Sequence, residues 1–562
     1  MRQQATRALG KLHRLRADFG GDFGAQKLAL IEQLSKSRLS EARLVLELHE
    51  TLLFLRAYPD DPRVLVRVER ELRRFERRPD LRRHRDELAN SGIAGCDIDY
   101  PFFPATASWL VARFGRRLSI DWDWFDNEAL LLDRLALFAL WCETPALDEL
   151  DLSAREWIWR MKSKSESDAQ FLVKRIEALK LDSAVHDRFY EELDVPLHLA
   201  WGPGSPSRTH ARFPTGDIVY QTQSLQRPRP DLRREVLIPP LSIRGVSLEE
   251  GECLVAMARD AMVTRSRDLD AFMYGDPRDV RLIDCGDNLQ FACIGVKPER
   301  RLLLESVYGF LTLKNGVPIG YVLCSALMGS SEIAYNVFDT YRGAEAAHVY
   351  SRVLAMVRAM FGTDTFTIYP YQLGHENDEG LKSGSWWFYQ KLGFRSRERG
   401  VLRLMDRELA RMKRDPSKRS SIATLKRLAA HNVYLDLEKQ RDDVIGIFPL
   451  AHVGERVIEL LARRFGSDRE NATRVLSQEA ASRLGTIPWE QLPAEERQAC
   501  ERWAPLVACI SDLERWTARE RQDLFEVMRA KGGRRESDFV VRFDAHAKLR
   551  STMVAWQKSN KA

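Results

Sequence analysis

Two segments carry most of the information in this sequence: SEIAYNVFDTYRGAEAA at residues 331–347 and WWFYQKLGFR at residues 386–395. The first has the pattern of a strand that breaks at a glycine-bearing turn and opens a helix. Such a turn directs several free backbone N–H groups to one point, where an anion such as a pyrophosphate binds. The second is a short amphipathic helix that ends at Gly393 and precedes a strand.

Taken together, the two segments resemble the signature of the GNAT superfamily of acyl-CoA-dependent N-acyltransferases. In that family the strand–helix turn has a fixed pattern: an Arg or Gln, any two residues, a Gly, any one residue, and then a Gly or Ala. A later helix ends in an aromatic residue followed by Tyr-x-Lys-x-Gly-Phe. The matching residues here are Arg342–Ala347 and Phe388–Phe394, and Glu345 stands where the family usually has Gly. The resemblance covers about residues 245–408.

Composition favours a multidomain globular protein. The chain has 562 residues, 44% of them apolar, and a length of this order suggests about three domains. The net charge is +6, with Arg interleaved among Asp and Glu, which is typical of solvated helix faces and argues against nucleic acid as a partner. The segment Arg63–Arg85 is the strongest candidate for a nucleic-acid footprint, but seven acidic residues between Asp61 and Glu87 weaken it.

Sequence features that bear on location predict a cytoplasmic protein without a membrane partner. The N-terminus lacks an apolar signal core. The most apolar window, 129–147, carries Asp133, Arg134 and Glu143, so we expect a buried helix rather than a membrane span. The eight cysteines are dispersed and show no metal-ligand spacing, so we expect reduced thiols and no metal.

The predicted fold class is multidomain α+β. We expect a helical N-terminal domain at 1–200 and a Pro/Gly-rich linker at 201–240, within which 218–220 has strand character. The resemblance implies a GNAT-like domain at 241–410, with a mixed, mostly antiparallel sheet and helices on both faces. A second all-α region follows at 411–562. Periodicity predicts strands at Leu289–Val296, Ser306–Leu313, Ile319–Leu327, Glu332–Phe338, Phe366–Tyr371 and Val401–Met405.

The resemblance implies that acetyl-CoA or another acyl-CoA is the co-substrate. Its pyrophosphate would lie on the backbone N–H groups of the turn. The carboxylate of Glu345 either crowds the phosphates or points away and pairs with Arg342 or Arg352. The expected donor-binding residues are Val337, Phe338, Arg342, Gly343, Ala344, Glu345, Ala346 and Ala347.

Two residues are the candidates for acid–base catalysis. Glu332 shares a strand face with Asn336. In part of the superfamily a Glu early in this strand takes the amine proton, but a solvated strand-edge carboxylate is the alternative. The family often uses the Tyr of the second motif, here Tyr389, to protonate the thiolate, but a core aromatic is equally consistent.

Other residues complete the predicted site. We expect Tyr389 to face a cleft while Phe388 packs. His375 and Glu376, in the loop after Tyr371, are alternative bases, whereas His348 belongs to a helix face. The predicted substrate pocket comprises Asn336, Tyr371, His375 and Trp386.

The resemblance thus implies an N-acyltransferase that moves an acetyl or other acyl group from acyl-CoA to a primary amine. The acceptor, a small molecule or a protein, cannot be identified from the sequence. The alternative is a catalytically weak or inactive GNAT-like scaffold protein, favoured by Glu345 and by the large flanks. In either case the helical flanks offer surfaces for a protein partner or a second copy of the chain.

Overall fold

The computed structural model describes residues 2–225, 229–343 and 345–559. Ala344, one of the predicted donor-binding residues, lies outside the described residues. The chain divides into two compact units. Unit 1 comprises Met1–Ser224, Val255–Tyr274 and Lys314–Pro318, and unit 2 comprises Leu225–Leu254, Gly275–Leu313 and Ile319–Ala562.

The first 200 residues are mainly helical but also contain a small sheet, so the expectation of an all-α region is wrong. Strands β1 (Ile98–Tyr100), β2 (Leu118–Ile120) and β3 (Leu197–Leu199) form an antiparallel sheet in the order β1–β3–β2. The helices are α1 (Arg2–Leu15), α2 (Phe23–Ser35), α3 (Ala42–Ala57), α4 (Pro62–Arg73), α5 (Pro79–Arg83), α6 (Pro104–Phe114), α7 (Glu128–Arg134), α8 (Thr144–Glu149), α9 (Ala154–Met161), α10 (Asp168–Glu177) and α11 (Ser183–Glu191), with 3-10 turns at Phe75–Arg77, Gly115–Arg117 and Leu135–Phe138.

The apolar window 129–147 is not one buried helix. Helix α7 ends within it, a 3-10 turn follows, and α8 begins at Thr144. Pro145 lies in the first turn of α8, and a proline there has no N–H with which to continue a preceding helix. Leu137 and Trp141 are exposed. Among the described residues no helix is long and apolar enough to cross a membrane.

Residues 208–211 are held against α3 within unit 1. Arg56 donates to the carbonyl oxygens of Thr209 and Ala211 at 2.7 and 3.2 Å, and His49 Nε2 lies 2.8 Å from the Thr209 hydroxyl. The strand expected at 218–220 is wrong, because these residues are irregular. The backbone of Val219 is bonded to the side chain of Asn315 instead of to a neighbouring strand.

The second part of the chain builds a mixed sheet of nine strands. Its order is β11–β12–β10–β9–β8–β7–β6–β5–β4. β9 and β10 run parallel, whereas β4–β5, β5–β6, β8–β9, β10–β12 and β11–β12 run antiparallel. The strands are β4 (Ser242–Gly245), β5 (Gly275–Asp284), β6 (Leu289–Val296), β7 (Ser306–Lys314), β8 (Val317–Leu327), β9 (Ser330–Val337), β10 (Thr365–Ile368), β11 (Arg395–Ser396) and β12 (Val433–Asp436).

Helices occupy most of the rest of this part. They are α12 (Leu232–Glu235), α13 (Leu248–Val263), α14 (Asp270–Met273), α15 (Ala346–Phe361), α16 (Pro370–Leu373), α17 (Asp378–Ser383), α18 (Ser385–Lys391), α19 (Arg399–Arg414), α20 (Ile422–Ala429), α21 (Leu450–Phe465), α22 (Arg469–Leu484), α23 (Ala494–Ala508), α24 (Ala518–Gly532), α25 (Glu536–Ala545) and α26 (Ala547–Ser559), with 3-10 turns at Pro298–Arg300, Asp339–Tyr341, Trp489–Gln491 and Leu513–Arg515.

The predicted last strand at 401–405 is wrong. These residues lie in α19, and Val401, Leu404 and Met405 are its buried positions. Their i, i+3, i+4 spacing is helical rather than alternating. The sheet is completed instead by β12, beyond the predicted boundary at 410, so the C-terminal region is not all-α. The strand expected at 366–371 ends at 368 because Pro370 opens α16.

Strands β9 and β10 part soon after they pair. Their paired residues are Ser330–Glu332 on β9 and Thr365–Thr367 on β10. β10 ends one residue later, while β9 continues through Ile333 to Val337 before the turn that leads to α15. This arrangement opens a fork in the sheet immediately beyond Glu332.

Candidate active site

The start of α15 lies in the wall of a cleft of about 960 Å³ within unit 2. Four of the lining residues are cationic and none is acidic. The lining residues are Arg229, Gly343, Ala346, Ala347, Leu381, Lys382, Ser383, Gly384, Trp387, Phe388, Lys391, Leu392, Met412, Arg419, Ser420, Ile422 and Leu425. The cleft therefore combines a positive rim with apolar patches.

The helix start itself is suited to an anion. The backbone N–H of Val349 donates to Glu345 O at 2.9 Å, so the N–H groups of the residues before it have no acceptor inside the helix. Ala346 and Ala347 line the cleft, and their side chains are single methyl groups that leave the backbone accessible to a ligand. Gly343 has a φ of 80°, a left-handed conformation that favours glycine, and a Cβ there would meet no atom within 4 Å.

The basic side chains converge on one side of the cleft. The pKa of Lys391 is lowered, first by burial and then by the positive charges of Arg229 and Arg419. Lys391, Arg229 and Arg419 are therefore close enough for their positive charges to repel one another. A bound polyanion relieves that repulsion, which makes this group a candidate phosphate site.

A hydrogen-bond chain fixes the wall contributed by the segment before α20. Trp387 Nε1 donates to Ser420 Oγ at 3.1 Å, and Ser420 Oγ donates to Glu408 at 2.6 Å. Arg411 donates to the carbonyl of Arg419 at 2.8 Å and pairs with Glu408. Arg419 is thus positioned beside α18 although the two lie far apart in the sequence.

Several predicted donor-binding residues do not line the cleft. Arg342 forms ion pairs with Asp339, at 2.8 Å, and with Glu379. Phe338 is buried against Tyr321, with ring centroids 6.1 Å apart. Val337 lies at the end of β9, opposite Gly320. Of the predicted donor-binding residues that the structure describes, the cleft lining includes only Gly343, Ala346 and Ala347.

Glu345 is turned away from the cleft. It is 9% exposed and is not among the lining residues. Arg342 and Arg352 were the predicted partners of this carboxylate. Arg342 forms ion pairs with Asp339 and Glu379, and Arg352 forms one with Glu235 at 3.7 Å. The carboxylate therefore does not form part of the anion-binding surface.

Glu332 stands at the fork between β9 and β10. It lies opposite Ser325 on β8 and Thr367 on β10. Burial, followed by the charge of Glu305, raises its pKa to about 7. The pKa of Tyr369 is raised by burial and then by the same two carboxylates. Glu332, Glu305 and Tyr369 therefore form one titratable group at the end of the parallel pairing.

Asn336 extends this face along β9. It lies opposite Tyr321 on β8, and its Oδ1 is buried and has no hydrogen-bond partner in the part of the chain that the structure describes. The other face of β9 is covered: Tyr335 donates to Ala346 O at 3.3 Å, and its ring lies 5.2 Å from that of Tyr350. Glu332 and Asn336 therefore share one face of β9, as predicted, and Tyr335 lies on the other.

Tyr389 does not face the cleft, and the orientation expected for α18 is wrong. Tyr389 is 3% exposed, and its ring contacts Tyr350, Phe388 and Phe394 at centroid distances of 5.5, 5.2 and 5.7 Å. Phe388 lines the cleft instead. Burial and the neighbouring Tyr389 raise the pKa of both Tyr335 and Tyr350. The phenol of Tyr389 therefore lies near that of Tyr335, which is bonded at the helix start.

The remaining predicted pocket residues are not brought together. Trp386 is buried, lies edge-on to Trp387 at 4.8 Å, and has an Nε1 without a partner among the described atoms. Tyr371 is 59% exposed, and His375 is exposed on the loop after α16. Trp387, which belongs to the same sequence motif, lines the cleft in place of Trp386.

Sequence reasoning missed the cationic residues and the partner of Glu332. Lys391 lies within the second sequence motif, in which only Tyr389 was predicted to be catalytic. Arg419 lies beyond the expected domain boundary, just before the Ser421 cap of α20. Glu305 precedes β7, and nothing in its local pattern shows that it faces Glu332.

Comparisons of the chain with protein-family models, with curated proteins and with solved structures found no match. Among the described residues, no group of three or more His, Cys, Asp or Glu side chains is placed to hold a metal ion.

Proposed function

We propose that this chain is an N-acyltransferase with a GNAT-like core, which moves an acyl group from acyl-CoA to a primary amine. One observation carries the proposal: the helix that follows the signature turn opens into a large cleft with four cationic and no acidic lining residues. CoA carries a pyrophosphate and a further ribose phosphate. A helix start and an Arg/Lys cluster in one cleft complement both groups.

The fork in the sheet supplies a place for the arm of the donor. The pantetheine arm of CoA contains amide groups, which need hydrogen-bond partners when they leave water. Beyond Glu332, β9 no longer pairs with β10. Its backbone between Ile333 and Val337 is therefore a suitable partner for an extended, amide-bearing arm, as in the addition of a strand. The thioester would then lie towards Glu332.

Glu332 has the properties of a general base for the acceptor amine. A lysine-like amine has a pKa of about 10.4 and must lose a proton before it attacks the thioester. A carboxyl group with a pKa of about 7 is half ionised near neutrality and binds a proton more strongly than an ordinary carboxylate does. Glu332 would take the amine proton as the new C–N bond forms and the C–S bond breaks.

We expect Glu345→Gly to leave CoA affinity within about twofold of wild type, because the carboxylate is turned away from the phosphates. The free energy of unfolding should fall by about 0.5 kcal/mol, since an acidic group near a helix start is favourable. Isothermal titration calorimetry and thermal denaturation measure the two effects. Binding tightened about tenfold would show that the carboxylate crowds the donor.

Tyr389→Phe separates catalysis from packing. The ring remains in its aromatic cluster and only the hydroxyl is lost, so fold and CoA affinity should be unchanged. If the phenol protonates the departing thiolate, turnover falls by about 10²-fold. The rate is measured at saturating acetyl-CoA once an acceptor is found. A wild-type rate would remove Tyr389 from the mechanism and leave its role in the core.

A second candidate function is that of a CoA-binding scaffold with weak or no catalysis. The burial of Tyr389 away from the cleft favours it, because a buried phenol must reach the sulfur to act as the acid. Incubation with acetyl-CoA and libraries of amines and proteins, followed by intact-mass analysis, distinguishes the two. Acetylated products above the uncatalysed level support the enzyme, and CoA binding without any product supports the scaffold.

A further inference from the structure

We propose that unit 1 contains a separate site for a compact ligand that carries two or three phosphate groups, formed by arginines of α4 and of the turn after it. A cleft of about 270 Å³ lies there. Its lining holds five guanidinium groups and one carboxylate, a net charge of +4 (five minus one). The lining residues are Ser35, Arg67, Arg70, Glu71, Arg74, Arg77 and Arg78.

Two of the arginines are fixed and form the base of this arginine cleft. Arg67 donates to Ser35 Oγ at 2.6 Å and pairs with Glu71 at 3.2 Å. Its Nε is buried and has no hydrogen-bond partner among the described residues. Arg78 is held by Asp80 at 2.8 Å and by the carbonyl of Ser37 at 3.1 Å. The base is therefore rigid and retains an unused buried donor.

The other arginines are exposed and poorly compensated. Within the described ranges, Arg70 and Arg74 form no hydrogen bond or ion pair through their side chains, and Arg77 lies 4.0 Å from Glu76. Arg70 and Arg74 are four residues apart, where like charges on a helical turn repel each other. An anion between them and Arg67 would remove that repulsion.

The chemistry favours a compact phosphate ligand over a long polyanion. Guanidinium groups bind phosphate oxygens in pairs through their planar fork, which makes arginine the preferred residue for such sites. The cleft is too small to enclose more than a short chain of phosphates. The surrounding segment also contains seven acidic residues between Asp61 and Glu87, which would repel an extended nucleic-acid backbone.

Inorganic tripolyphosphate is the probe, titrated into the full chain by calorimetry. We expect saturable binding that weakens about 30-fold in Arg70→Gln/Arg74→Gln, since each charge-assisted contact contributes about fivefold or more. Arg63→Gln is the matched control, because Arg63 belongs to the same helix but pairs with Asp61 outside the cleft. Thermal denaturation shows whether each variant is folded.

The donor cleft also attracts phosphate, so Lys391→Gln/Arg419→Gln must be titrated in parallel. Tripolyphosphate affinity that persists in this variant, and falls only when Arg70 and Arg74 are changed, supports the proposal. Equal binding of sulfate, or full affinity in Arg70→Gln/Arg74→Gln, would overturn it. So would a single-stranded oligonucleotide that binds through these arginines where tripolyphosphate does not.

Discussion

We expect Glu332→Gln to lower the rate of acyl transfer by about 10²–10³ near pH 7.5, because the amide cannot accept the proton of the acceptor amine. The wild-type rate should rise as pH increases through about 7, where Glu332 loses its proton. The difference between the two enzymes narrows as pH approaches the amine's own pKa of about 10.4, since less amine then needs a base. A pH–rate profile at saturating acetyl-CoA measures both effects.

The stability of the same variant changes in the opposite direction. Folding raises the pKa of the Glu332 carboxyl group to about 7. The folded protein therefore loses stability as pH rises from the pKa of this group in the unfolded chain to its pKa in the folded protein. Above pH 7, Glu332→Gln should therefore raise the free energy of unfolding by about 2 kcal/mol. A slower but more stable enzyme excludes unfolding as the cause of lost activity.

Glu305→Gln is the diagnostic control for Glu332. It removes the neighbouring negative charge and leaves the base in place, so the pKa of Glu332 falls. The ascending limb of the pH–rate profile should move to lower pH while the plateau changes little. A wild-type profile in Glu305→Gln, together with a wild-type rate in Glu332→Gln, would assign the proton transfer to another group.

We expect Lys391→Gln/Arg419→Gln to weaken CoA binding by about 10²-fold, because the cleft loses two cations that would face the donor phosphates. Lys426→Gln is the matched control: Lys426 is exposed on α20 and lies outside the cleft lining. Dephospho-CoA, which lacks the ribose phosphate, should bind the wild type more weakly than CoA does. Its affinity should also fall by a smaller factor than that of CoA in the double variant. Unchanged affinity in the double variant would place the donor elsewhere.

Local sequence patterns were sufficient for the centre of the sheet. Between two of the predicted strands, Asn315 and Gly316 have φ values of 49° and 75°, which are the positive values that an Asn-Gly hairpin turn requires. The strand predicted at 289–296 is observed as β6, and the buried residues Val349, Val353 and Val357 of α15 recur every four residues, as on one face of a helix. These features depend on turn chemistry and alternation, which act over a few residues.

Features that depend on tertiary contacts were not predictable in the same way. The segment 401–405 has enough β-branched and apolar residues for a strand, but its buried positions form a helical stripe. Strand β12 pairs with β10, far back in the chain, through contacts such as Phe366 with Leu435. In the candidate site, only the turn before α15 is formed by residues that are adjacent in the sequence. The positions of Arg419 and Glu305 depend on the packing of distant segments.

Hydrogen–deuterium exchange of the full chain with and without acetyl-CoA tests most directly whether the donor occupies the cleft at the start of α15. We expect acetyl-CoA to slow exchange in peptides that cover 343–349 and 385–392, because its phosphates accept hydrogen bonds from the free N–H groups of the helix start. Exchange in α10 and α11 of unit 1 should be unchanged. No protection at 343–349 with millimolar acetyl-CoA, or protection confined to other segments, would contradict the proposed donor site.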